Sequence, residues 1–68
     1  LEFMMNALRL VDGVSRQQLE RYSGLNWAAV EEPIKELQRR ELIIKSEERI
    51  ATTSLGQRYL NEVLAAFM

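Results

Sequence analysis

Few side chains in this 68-residue chain carry the chemistry of a reactive site. Two pairs of adjacent carboxylates stand out, Glu31-Glu32 and Glu47-Glu48. General acid–base work needs two carboxyl groups facing one reacting centre, one of them with a shifted pKa. Neighbouring residues on a helix point to different faces, which separates the first pair. The second pair falls in a turn, and no apolar pocket surrounds either one. Both pairs read as solvated surface. Met4, Met5 and Met68 offer thioethers that can ligate heme iron, but no histidine exists to partner them, so they read as fillers of irregular core gaps. Arg39-Arg40 is the basic doublet. It could grip a phosphate or carboxylate, but at the end of a helix it complements the dipole and lies within reach of Glu36 for an intrahelical pair. Trp27, the sole tryptophan, leaves two readings open: an anchor in a partner interface, or a cap on the small core with its indole N–H in water. Tyr22 and Tyr59 fall on apolar faces and read as core residues with wet hydroxyls.

What is missing narrows the function further. The chain has no cysteine and no histidine, which removes zinc fingers, iron–sulfur ligation, thiol catalysis, histidine base chemistry and disulfides. No catalytic, cofactor-binding or metal-binding constellation emerges, and the chain by itself reads as a non-enzyme. With 47% apolar and 28% charged residues it has the make-up of a soluble globular domain. No apolar run is long enough to span a bilayer and no signal peptide is present, so no membrane is expected and the expected compartment is the cytoplasm. The size allows one domain, residues 1–68. The start at Leu1, running at once into Phe3, Met4 and Met5, reads as a fragment cut near a domain boundary.

The pattern along the chain supplies the elements. Phe3, Met4, Ala7, Leu8 and Val11 share a helical face and predict a first helix over about residues 2–11, ended by Asp12-Gly13. Ser15 and Gln18 form a capping box for a second helix, with Val14 and Leu19 as its hydrophobic staple and Gly24 as its stop. Asn26 caps a third helix with Leu25 and Val30 as staple; Pro33 inside it predicts a kink, or a short opening turn followed by the main helix. Leu42-Ile43-Ile44 and Ile50 with Thr52 predict two strands joined by residues 46–49. Thr53 caps a last helix whose face is Leu55, Tyr59, Leu60, Val63, Leu64 and Phe67.

Three helices, a two-stranded hairpin wing and a C-terminal helix form an α+β, mostly helical arrangement of the winged-helix type. Winged helices often place their third helix in the DNA major groove. Here that stretch carries Glu31, Glu32, Glu36 and Glu41 against Lys35, Arg39 and Arg40, and the wing sets Lys45 and Arg49 against Glu47 and Glu48. The whole chain has nine basic and ten acidic residues, a net charge of -1. A duplex reader must neutralise phosphates, so nucleic acid is not the expected partner. The terminal helices carry more apolar surface than so small a domain can bury, which predicts an interface with the rest of a longer protein, or a homodimer of the isolated domain.

The runs Glu2-Phe3-Met4-Met5-Asn6-Ala7-Leu8-Arg9-Leu10, Gly13 and Tyr22-Ser23-Gly24-Leu25, followed by Thr53-Ser54-Leu55-Gly56 and Tyr59-Leu60-Asn61-Glu62-Val63-Leu64 with Phe67, resemble a C-terminal domain. It is that of oxygen-independent coproporphyrinogen III oxidase-like proteins, and the opening run is more similar to the heme-chaperone branch than to the true oxidases. The sequence departs from that pattern at Glu41, where a glycine more often precedes the strand, and Pro33 is unusual. The resemblance implies an accessory domain of tetrapyrrole metabolism. In such proteins a preceding radical S-adenosylmethionine barrel does the chemistry, with a 4Fe-4S cluster and S-adenosylmethionine as its cofactors. No catalytic residue carries over to this chain. The expected partner is the barrel, and the candidate interface residues are Phe3, Met4, Asn6, Arg9, Trp27, Leu60, Asn61 and Phe67. The alternative is a winged-helix module that binds DNA or self-associates.

Overall fold

The computed structural model describes residues 2–68. Its elements run α1 (Glu2–Ala7), β1 (Val14–Ser15), α2 (Arg16–Ser23), a 3-10 turn (Trp27–Val30), α3 (Glu31–Arg39), β2 (Ile43–Lys45), β3 (Arg49–Thr52), α4 (Ser54–Arg58) and α5 (Leu60–Ala65). The architecture is mixed α+β and mostly helical, with a small antiparallel sheet in the order β1-β3-β2.

Local capping chemistry sets most boundaries. The Ser15 hydroxyl accepts the Gln18 amide at 3.1 Å while the Gln18 side chain accepts the Ser15 amide at 2.8 Å, a complete capping box that starts α2. Gly24, at φ 74°, ends it in the left-handed conformation. Asn26 caps the 3-10 turn through the Ala29 amide. That turn and α3 resolve the Pro33 question in favour of a short opening turn followed by the main helix. Pro33 falls in the first turn of α3, where amides lack intrahelical acceptors, so its missing N–H costs nothing.

The end of α3 is a Schellman motif. The Leu42 amide reaches the Leu37 carbonyl at 2.9 Å and the Glu41 amide reaches the Gln38 carbonyl at 2.9 Å. The residue that must turn left-handed is Glu41, at φ 62°, the position where the resembled pattern more often has glycine.

Three expectations need correction. The first helix stops at Ala7 rather than near residue 11. Gly13 lies so close to β3 that a β-carbon on it would sit 2.0 Å from the Ile50 carbonyl oxygen, and the chain must unwind through residues 8–12 to reach that point. The sheet has three strands rather than two, because Val14 and Ser15 pair with Ile50 and Arg49. The last helix is two: Tyr59, at ψ 39°, breaks it between α4 and α5.

The core lies where all these elements meet. Met4 and Leu8 from the N-terminal segment, Leu19 from α2, Ile34 and Leu37 from α3, Ile50 from β3 and Val63 from α5 are all buried, joined by Phe67 at the C-terminal end. Among the described residues no buried side-chain nitrogen or oxygen lacks a partner.

Candidate functional site

The α1–α2 face is built by the shortness of α1. Met4 and Leu8 point into the core, which leaves Phe3 half-buried at its rim. The capping box and the Val14–Leu19 staple fix α2 beside it, and α2 presents Tyr22 to the same side. The two rings stack with centroids 6.2 Å apart and planes 28° apart. Between them runs a groove of about 250 Å³, lined by Phe3, Asn6, Ala7, Leu10, Gly13, Gln18 and Tyr22. Because the chain unwinds after Ala7, Leu10 and Val11 turn outward and are 63% and 75% exposed, and Tyr22 is 66% exposed. Arg21 lies 5.6 Å from the Tyr22 ring centroid. This grouped apolar and aromatic surface is the kind that marks an interaction face.

The expected interface residues do not form one patch. Phe3 and Asn6 line the α1–α2 groove. Leu60 and Asn61 lie together at the α4–α5 corner, beside Gln57, Arg58, Tyr59 and Glu62. Trp27 belongs to a third groove, between the 3-10 turn, α3 and β2. Arg9 is exposed in the turn after α1. Met4 and Phe67 must be corrected: they are 0% and 4% exposed, so both pack the domain's own core and offer nothing to another surface. Tyr22 and Tyr59 are corrected the other way, from core to surface, Tyr59 being 47% exposed. The Trp27 indole N–H donates to the Glu47 carbonyl at 3.2 Å and ties the 3-10 turn to the β2–β3 turn.

Val11 and Tyr22 were missed as surface residues because their helical spacing mimics a buried stripe. The Asp12-Gly13 pair was the available signal: a glycine that must pass close to a strand forces the preceding residues out of the helix.

The cations of α3 and its C-terminal cap are all paired with carboxylates. Lys35 pairs with Glu31 at 3.3 Å, Arg39 with Glu36 at 2.5 Å, and Arg40 with Glu62 across to α5. Arg39 hydrogen bonds hold the Glu36 carboxyl below its ordinary range, and the same bonds raise Arg39. Each of these cations already faces a carboxylate, so this helix presents no free basic strip to a phosphate backbone. Among the described residues no group of three acidic, cysteine or histidine side chains could hold a metal ion, and no helix is long and apolar enough to cross a membrane.

Comparison with known proteins gives two matches. The HemN C-terminal domain family matches residues 1–59. The heme chaperone HemW of Haemophilus influenzae is 34% identical over 67 residues, which cover 98% of this chain and 18% of that protein. The chain therefore spans under a fifth of the length of the curated relative. No solved structure matches it.

Proposed function

Because the chain belongs to the HemN C-terminal domain family, we propose that it is the non-catalytic C-terminal accessory domain of a heme-chaperone or coproporphyrinogen-oxidase-like radical S-adenosylmethionine protein of tetrapyrrole (heme) metabolism, packing on the preceding catalytic barrel. The element order and the β1-β3-β2 sheet support reading it as a winged helix. The observation that carries the docking role is the α1–α2 face. Its Phe3–Tyr22 stack and outward Leu10 and Val11 are surface that a free-standing domain of this size has reason to hide.

A 4Fe-4S cluster needs thiolate ligands, and this chain has no cysteine. Its residues do not fit the cluster, and the reading assigns that group and S-adenosylmethionine to the barrel. What this chain contributes is apolar surface and, through Asn6 and Gln18 at the groove wall, polar groups able to fix the orientation of whatever lies on it. The pairing of Lys35, Arg39 and Arg40 with carboxylates argues against duplex DNA as the partner.

The test is Leu10→Asp with Tyr22→Asp in the full-length parent. The expected result is loss of soluble yield or parent activity, while the 68-residue chain carrying the same changes still folds and unfolds cooperatively, its melting temperature lowered only by the loss of the Phe3–Tyr22 stack. An unchanged parent after those substitutions, or after removal of the whole segment, would contradict the reading. Leu60→Asp probes the α4–α5 corner in the same way. Phe67→Asp does not, since a charge in the core unfolds the domain.

A further inference from the structure

The outer face of the sheet continues the α1–α2 surface. Ile44 and Ala51 pair across β2 and β3, and Arg49 shares their face, two residues along from Ala51. Val14, Ile43, Ile50 and Thr52 take the opposite face and are buried. Ile44 is 63% exposed and, with Arg49 and Ala51, lines a shallow hollow of about 230 Å³. That hollow meets the α1–α2 groove at Gly13. Gly13 lines the groove, and a β-carbon on it would sit 2.8 Å from the Ala51 β-carbon. Arg49 stands at this seam. Its Nη1 donates to the Asp12 carbonyl at 2.7 Å, which holds the guanidinium over the turn that leads into Gly13. Lys35, Arg39 and Arg40 each face a carboxylate, whereas Arg49 has no ion pair among the described residues.

From this juxtaposition we propose that the catalytic part of the parent covers the outer sheet face together with the α1–α2 face, and sets a carboxylate against Arg49. The proposal rests on the docking role argued above and adds to it the extent of the contact and its charged anchor. The matched segment is 18% of the curated relative, so the remainder of such a protein is large enough to cover both hollows. Covering a guanidinium with apolar surface and no anion is costly. The Asp12 carbonyl gives Arg49 a hydrogen bond but no counter-charge. A carboxylate supplies both, in the two-pronged geometry that arginine favours. Because Asp12 already orients the side chain, little rotamer freedom is left to lose on docking. Arginine set among apolar neighbours is also a residue type that dominates interface energetics.

The test is hydroxyl-radical labelling of Ile44 in the full-length parent and in the 68-residue chain, repeated on parents carrying Arg49→Glu, Arg49→Gln or Arg49→Lys. The expected result is several-fold protection of Ile44 in the parent, alongside Leu10 and Tyr22. Arg49→Glu should return Ile44 labelling to its level in the isolated chain, and Arg49→Lys should keep most of the protection. Arg49→Gln retains a donor for the Asp12 carbonyl and loses only the charge. It should also expose Ile44, and it decides the matter if Arg49→Glu unfolds the chain. Protection of Leu10 and Tyr22 with Ile44 labelled equally in the two proteins overturns the extension and leaves the docking role standing. Equal labelling of all three overturns both. Protection of Ile44 that survives Arg49→Gln overturns the carboxylate anchor. Loss of Ile44 labelling on concentrating the isolated chain overturns the proposal by assigning the face to a second copy.

Discussion

The α-carbon of Gly56 lies so close to the Leu42 carbonyl that a β-carbon built on it would sit 1.9 Å from the oxygen. The same oxygen accepts the Thr53 amide, and the Thr53 hydroxyl both accepts the Gly56 amide at 2.9 Å and donates to the Glu41 carbonyl at 2.8 Å. Thr53-Ser54-Leu55-Gly56 is thus a clamp that fastens the start of α4 to the entry of β2. Both contacts at Gly56 under 3 Å are to backbone, which cannot swing aside as a side chain can. Gly56→Ala should cost about 3 kcal/mol through overpacking and lower the melting temperature by on the order of 10–20 °C. Circular dichroism melting checks it, and a variant that melts like the parent chain would show that β2 can move away freely.

Glu41 provides the opposite case. A residue with a β-carbon pays a steric cost in the left-handed region, and its side chain makes no hydrogen bond or ion pair among the described residues. Its carbonyl bond to Thr53 survives any side-chain change. Glu41→Gly should therefore stabilise the chain by about 0.5–1 kcal/mol, the relieved strain less the added freedom of the unfolded chain. A urea midpoint shifted upward at constant slope is the expected reading.

The Glu36–Arg39 pair gives a pH dependence. The Arg39 hydrogen bonds lower the Glu36 carboxyl from its ordinary value of 4.5; slight desolvation opposes them, and the charges of Arg39 and Arg40 reinforce them. A carboxyl lowered by folding stabilises the native state fully above its ordinary value, and that contribution fades as the pH falls through the lowered one. Arg39→Gln should move the Glu36 titration back up toward 4.5 and flatten the acid side of the stability curve in that window. Carboxyl-detected NMR titration of the two chains reads this directly, and identical titrations would contradict the pairing in solution.

Features decided within a few residues were legible in the sequence. Ser15 and Thr53 cap the helices they were expected to start and Asn26 caps the 3-10 turn that leads into α3, because a cap needs only one side-chain oxygen and an amide two or three residues ahead. Features decided across the fold were not. Val14-Ser15 reads as a helix entry and also pairs with β3, but a two-residue strand has no alternation to detect. Tyr59 carries helical spacing in both directions and sits at the break between α4 and α5. For the candidate site, Phe3 and Asn6 were named as interface candidates and line one groove, whereas Tyr22, on the same groove, was read as core. Its exposure follows from where α1 stops, and Gly13's approach to Ile50 sets that.

Docking of the α1–α2 face on the catalytic part is the central claim, and side-chain footprinting tests it most directly. Hydroxyl-radical labelling of Phe3, Leu10 and Tyr22 should be compared between the 68-residue chain and the full-length parent, with Tyr59 as an internal reference. The account predicts strong labelling of Leu10 and Tyr22 in the isolated chain and protection of both in the parent. Equal labelling of these residues in the two proteins would contradict it.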